Sequence, residues 1–115
     1  MNATQHQDFR PFEVLVSSGR EGVSVAPAGE VDLATAGQLQ ERIDALLGDR
    51  TRLALDLGDV TFMDSTGVRL VLELVHAARR DDWELVVIRV PHAVRRVFEL
   101  SGVLDVVPLG EAGAA

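Results

Sequence analysis

The 115-residue chain has no cysteine, which excludes disulfide scaffolds, thiolate zinc sites and cysteine nucleophiles and makes the reducing cytoplasm its natural compartment. Lysine is missing too, so all 11 cations are arginines. Schiff-base chemistry, the phosphate-binding lysine of P-loops and the lysine of phospho-aspartate receiver domains are therefore out of reach. There is no long hydrophobic run. The most apolar segment, Val68 to Ala78, is broken by Arg69 and Glu73, and the opening MNATQHQDFR has no apolar stretch behind its charges. Neither a membrane span nor a signal peptide is expected. Positive charge is in the minority, and a net charge of −7 argues against binding nucleic-acid phosphates or anionic lipid, since both need clustered cations. What is abundant is apolar side chain, 47% of residues, enough for one packed domain without staples. One domain over residues 1–115 is expected, with an ordered core over about 10–108 and short disordered tails at both ends.

Phe12, Val14 and Val16 alternate with Glu13, Leu15 and Ser17, and Val23 and Val25 resume the same period of two after SSGREG, the pattern of a two-stranded hairpin. From Asp32 the period lengthens. Ala36, Leu39, Ile43, Leu46 and Leu47 fall on one helical face, Gly48 is a stop, and Thr35 with Gln38 has the spacing of a capping box. Leu53, Leu55 and Leu57 predict a strand. A turn at Gly58 and Asp59 then leads through TFMDSTG into a second helix over about Thr66 to Arg80, whose wide apolar surface implies burial on more than one side. Leu85 to Ile88 is an uninterrupted apolar run and predicts an interior strand covered on both faces. Pro91 opens a third helix with Val94, Val97 and Phe98 on its apolar stripe, Gly102 sits where a left-handed cap ends it, and Leu104 to Val107 predicts a last short strand. The fold class is α/β: a mixed sheet with an N-terminal antiparallel hairpin followed by βαβ crossovers, and three main helices.

In such folds the loops leaving the carboxyl ends of parallel strands share one edge of the sheet, where ligands and partners bind. Three segments are expected there: Gly29 to Asp32 after the second strand, Met63 to Gly67, and Val90 to His92. Asp32, Asp64 and the Ser65 hydroxyl converge on that reading. Ser65 can be read as a helix cap, or as a hydroxyl presented to another molecule. Asp64 can cap equally well, and Gly67, a poor helix former in the first turn, suits a position where another chain approaches the backbone closely. A nucleophilic serine would need a histidine base. His6 lies in the start of the chain, His76 is about three turns down the helix, His92 is a first-turn surface residue, and no G-x-S-x-G elbow surrounds Ser65. No catalytic residue is therefore assigned. A Mg2+ site on Asp32 and Asp64 is conceivable by donor type, but capping and solvation account for both more simply, and no metal site is assigned. Asp56 occupies a phospho-aspartate-like position without the lysine such chemistry needs. Trp83 and Phe98 are core or sheet-edge cover.

GEVDLATA at 29–36, LDLGDVTFMDSTGVRLVLEL at 55–74 and PHAVRRVFELSGVLDVVPL at 91–109 together resemble the anti-sigma factor antagonists, single-domain STAS proteins. The resemblance spans nearly the whole chain, and its specific element is the ordered combination of G-E-x-D, D-S-x-G at a helix start and F-E-L-S-G at a late helix end. It implies a partner-switching protein of the bacterial cytoplasm. The unphosphorylated form would bind an anti-sigma factor of the serine/threonine-kinase type and free a sigma factor, and phosphorylation at Ser65 would switch binding off. The partner would bring ATP, Mg2+ and catalysis, so the chain needs no cofactor and is a substrate of the kinase; a phosphatase would reset Ser65. The resemblance places Asp32, Met63, Asp64, Ser65, Thr66, Gly67 and Arg69 at the contact. Thr66 stands where many relatives carry a second serine, and Arg69 where glycine is common. The alternative within the same resemblance is an unphosphorylated STAS scaffold or a subunit of a lipid-transport machine, with Ser65 only a cap.

Overall fold

A computed structural model describes residues 11–19 and 22–111. Of the terminal tails assigned to disorder, residues 1–9 and 112–115 lie outside the described residues, whereas residues 109–111 are described and Leu109 bridges to Val87. β1 (Glu13–Ser18) and β2 (Gly22–Val31) form the expected antiparallel hairpin, with Glu13 opposite Ala28 and Ser18 opposite Val23. β2 buries every second residue from Val23 to Val31, the alternation of a sheet with one face on the core. It also runs further than its patterning shows: Gly29, Glu30 and Val31, expected in the loop beyond it, belong to the strand.

β3 (Arg52–Asp56) lies parallel to β2, and β5 (Glu84–Ile88) parallel to β3, in the sheet order β1-β2-β3-β5. A further strand, β4 (Asp59–Met63), occupies what the sequence reading left as a turn and loop. It prolongs the path of β3 along the same side of β2, with Ala28 level with Asp59 and Val31 level with Met63. Between Gly29 and Glu30 the register jumps, so that Gly29 faces Val60 and Glu30 faces Phe62. Thr61 is the extra residue of a bulge. The bulge places the buried residues of β4 at Val60 and Met63, three apart, and a period-two test cannot find such a strand.

α1 (Ala36–Leu47) buries Ala36, Leu39 and Ile43 and ends at Gly48 with φ 50. α2 (Ser65–Asp81) buries seven residues from Gly67 to Ala78 and packs on α1, β4 and β5, as its broad apolar surface requires. α3 (His92–Leu100) packs on β4 through a stripe that includes the fully buried Phe98, and Gly102 (φ 74) lies just past its end. These helices and β2 to β5 close over one apolar core, in which Val25, Leu55, Leu39, Val71 and Phe98 are almost fully buried.

Three local expectations are corrected. The Thr35–Gln38 capping box does not form: Thr35 has no side-chain cap bond into α1, because its hydroxyl is engaged with the preceding strand end, donating to the Glu30 carbonyl at 2.7 Å. β5 is not an interior strand with ladders on both sides. Beyond it lies a single bridge from Val87 to Leu109, in which the Val87 N–H donates to Pro108 O and the Gly110 N–H to Val87 O, both at 2.9 Å. The strand expected at Leu104 to Val107 is instead a 3-10 turn over Leu104–Val106, closed by the Val106 N–H on Val103 O, so contact with the sheet is deferred to Leu109.

Candidate functional site

The chain leaves β4 at Met63 and enters α2 within two residues. Asp64 has extended backbone angles (φ −108, ψ −168) and is the helix cap, its Oδ1 accepting from the Thr66 N–H at 2.9 Å and the Gly67 N–H at 3.3 Å. That satisfies two of the four amide donors a helix start leaves open, and puts a carboxylate at the positive end of the helix dipole. With Asp64 as the cap, Ser65 becomes the first helical residue. It is exposed, and among the described residues its hydroxyl has no hydrogen-bond partner. Of the two roles left open by the sequence, the cap is taken by Asp64.

Gly67 is buried, and its role differs from the one expected. A Cβ there would come to 2.5 Å from Met63 Cγ, 3.0 Å from Val31 Cγ1 and 3.1 Å from Val31 O. A close approach that requires glycine is already made from inside the molecule, by the ends of β2 and β4. Met63, itself only 3% exposed, belongs to this underlying layer. Of the residues grouped at the contact, Met63 and Gly67 thus lie beneath the turn. Ser65 and Arg69 are exposed, and Asp32, Asp64 and Thr66 are half-buried.

The neighbouring turn is built from Asp32 to Thr35. Asp32 Oδ1 accepts from the Ala34 N–H at 2.9 Å and the Thr35 N–H at 3.2 Å, and the Asp32 N–H donates to Thr35 Oγ1 at 3.0 Å. It adjoins the first turn of α2, because Val31 is level with Met63 and the Asp64 N–H donates to Val31 O at 3.3 Å. The two turns that carry the aspartates are therefore neighbours. On this turn the structure also holds Leu33 with 82% of its surface exposed, a residue the sequence reading passed over. Its signal was a large apolar side chain next to a turn-forming Asp, one turn upstream of the α1 stripe. Phe62, half exposed on β4, was likewise missed along with its strand.

The third segment starts at a different level. Ile88, the end of β5, is level with Asp56, one residue past the level of Leu55 and Val25, whereas Met63 is level with Val31, about 17 Å further along β2 at 3.3 Å per residue. The exit of β5 is closed locally. Arg89, in the left-handed region (φ 53), brings Nε to 2.9 Å from Asp56 Oδ1 and 3.1 Å from Oδ2. Hydrogen bonding to Asp56, then the charge of Asp56, hold the Arg89 guanidinium above its ordinary pKa. Asp56 Oδ1 also accepts from the Gly58 N–H at 2.9 Å. His92, exposed, opens α3 beyond this junction. Among the described residues no group of three or more His, Cys, Asp or Glu could hold a metal ion, and no helix is long and apolar enough to cross a membrane.

Residues 14–108 match the family model described as Mlab, STAS domain. The anti-sigma-B factor antagonist of Staphylococcus aureus (strain NCTC 8325 / PS 47) is 33% identical over 88 residues, covering 76% of this chain and 82% of the relative. BtrV of Bordetella bronchiseptica is 39% identical over 92 residues, covering 76% of this chain and 78% of the relative. Among solved structures, the anti-sigma factor antagonist SpoIIAA in its unphosphorylated form superposes with a TM-score of 0.72 at 24% identity, covering 90% of each chain. The phosphorylated form of the same Bacillus protein gives 0.68 at 24%, covering 90% of this chain and 93% of that one; at this identity the likeness is one of fold.

Proposed function

The chain belongs to the STAS-domain family, and from that premise we propose that it is an anti-sigma factor antagonist of the bacterial cytoplasm, switched at Ser65. The unphosphorylated form binds an anti-sigma factor that is also a serine/threonine kinase and thereby frees a sigma factor. The kinase phosphorylates Ser65 and releases the chain, and a phosphatase resets it. The chain supplies the acceptor hydroxyl and the surface around it, while ATP, Mg2+ and catalysis are the partner's. The observation that carries this reading is the division of labour at the start of α2: Asp64 caps the helix, and the Ser65 hydroxyl stands exposed with no bond of its own among the described residues. A serine needed for capping would lose that bond on modification. Here the fold barely depends on it. The S. aureus relative, named an anti-sigma-B factor antagonist, supports the partner class, and the existence of a phosphorylated form of SpoIIAA supports a modification.

The switch follows from charge. A phosphate on Ser65 gains about 0.3 to 1 kcal/mol from the helix N-terminus, while the carboxylate of Asp64 beside it repels, so folding stability changes little. At an interface the balance differs, because an unpaired dianion withdrawn from water costs several kcal/mol. With each 1.4 kcal/mol worth tenfold, binding weakens by about a hundredfold or more. Asp32, Asp64, Ser65, Thr66 and Arg69 make the direct contacts in this proposal, and Met63 and Gly67 hold them in place from below.

The test is to incubate the protein with the serine-kinase anti-sigma factors of its own genome, ATP and Mg2+, and to locate the modified residue by mass spectrometry. Phosphate on Ser65, absent from Ser65→Ala, is the expected result. Ser65→Ala should bind the kinase persistently and Ser65→Asp poorly. If no candidate kinase modifies the chain and both variants bind alike, the switch is wrong and the unphosphorylated scaffold or lipid-transport reading takes its place.

A further inference from the structure

Resting on the reading of Ser65 as the phosphoacceptor, we propose that Arg69 is the intramolecular counter-ion of the phosphate, folding back over the first turn of α2 to hold it against the helix. Arg69 follows Ser65 by four residues within α2, so the two side chains are neighbours on one helical face. Helical side chains lean toward the N-terminus, which carries the guanidinium toward Ser65. Arg69 is exposed, and among the described residues it makes no ion pair. It is also the only charged residue of the first two turns of α2.

The competing groups are Asp64 beside Ser65, Asp32 on the adjoining turn, and Glu73 one turn further along α2. Asp64 and Asp32 already accept backbone N–H bonds. Glu73 stands four residues C-terminal to Arg69, the weaker order for a helical ion pair, whereas an acid at 65 with its base at 69 is the stronger. A phosphoserine also offers nearly two charges and three acceptor oxygens, which suit the fork of a guanidinium. Phosphorylation therefore does two things at this surface. It adds a dianion, and it withdraws Arg69 from any partner. A glycine at 69 leaves the phosphate facing Asp64 without compensation.

The experiment places phosphoserine at position 65 during translation by codon expansion, so that no kinase is involved. The second ionisation of the phosphate, ordinarily near about 6, is followed by 31P NMR in the otherwise unaltered protein, in Arg69→Gln and in Arg69→Lys. Arginine and glutamine have similar helix propensities, so the unphosphorylated forms should melt alike. The expected result is an ionisation roughly 0.15 to 0.4 pH unit lower with arginine than with glutamine at low salt, the size of one exposed helical ion pair gained with the second negative charge. Lysine should fall between them, and the difference should shrink in 1 M salt, where the screening length is about 3 Å. Superimposable titrations for arginine and glutamine would overturn the proposal. Failure of every kinase to modify Ser65 would overturn the functional reading and leave this titration to be judged on its own.

Discussion

Two strand-to-helix junctions of this molecule can be set side by side. After β4 the aspartate at the cap bonds the Thr66 and Gly67 amides of α2 with its own side chain, and the serine between cap and glycine holds no partner among the described residues. After β5 the cap of α3 is Pro91, with no side-chain bond, and the loop is secured by the cross-strand pair of Arg89 with Asp56. Both junctions end a parallel strand and begin a helix, yet one is sealed and the other presents a hydroxyl. The difference lies in which residue does the structural work. Where a neighbour performs the capping and a glycine lets the turn sit down on the strands beneath it, an exposed side chain can be chemically altered without disturbing the fold.

That contrast can be broken at several points. The largest effect is expected from Gly67→Val. The added carbons meet Met63 and Val31, and overpacking of this kind costs about 1 to 3 kcal/mol, read as a lower midpoint in urea unfolding. An unchanged midpoint would show that the ends of β2 and β4 do not pin the turn. Asp64→Ala should cost about 1 kcal/mol through the lost cap, and Asp64→Asn should recover most of it, since both residues cap well. Pro91→Ala at the other junction removes no side-chain bond, and should cost only about 0.5 kcal/mol by loosening the unfolded chain. If it proved as costly as Asp64→Ala, the two junctions would not differ as described. Ser65→Ala should be the mildest, within about 0.5 kcal/mol of the parent in the same unfolding measurement. A loss near 1 kcal/mol would mean that the hydroxyl caps after all.

Much of this was legible along the chain because it depends on local pattern. The β1–β2 alternation, the stripe Ala36-Leu39-Ile43, the apolar breadth of α2 and the glycines at 48 and 102 each declare themselves within a few residues. So did the turn into α2, since Asp64, Ser65 and Gly67 fall together at the start of a helix. The misses share a cause, which is that a distant partner decided them. β4 is a strand because β2 continues alongside it, and its bulge at Thr61 hides the alternation. The 3-10 turn at Leu104–Val106 replaces a strand because the bridge to β5 forms at Leu109. Thr35 fails to cap because Glu30, five residues back, takes its hydroxyl.

The sequence by itself thus determined the three helices, the hairpin, the strands β3 and β5 and their order, and the serine at the start of α2, since hydrophobic period and capping chemistry act over one or two turns of chain. The tertiary structure alone decided why Gly67 must be glycine, that Leu33 stands exposed on the turn adjoining the start of α2, and that the junction after β5 starts lower on the sheet. Each of these depends on which backbone lies opposite in the fold, and register between strands is set by packing across the sheet rather than by neighbours along the chain.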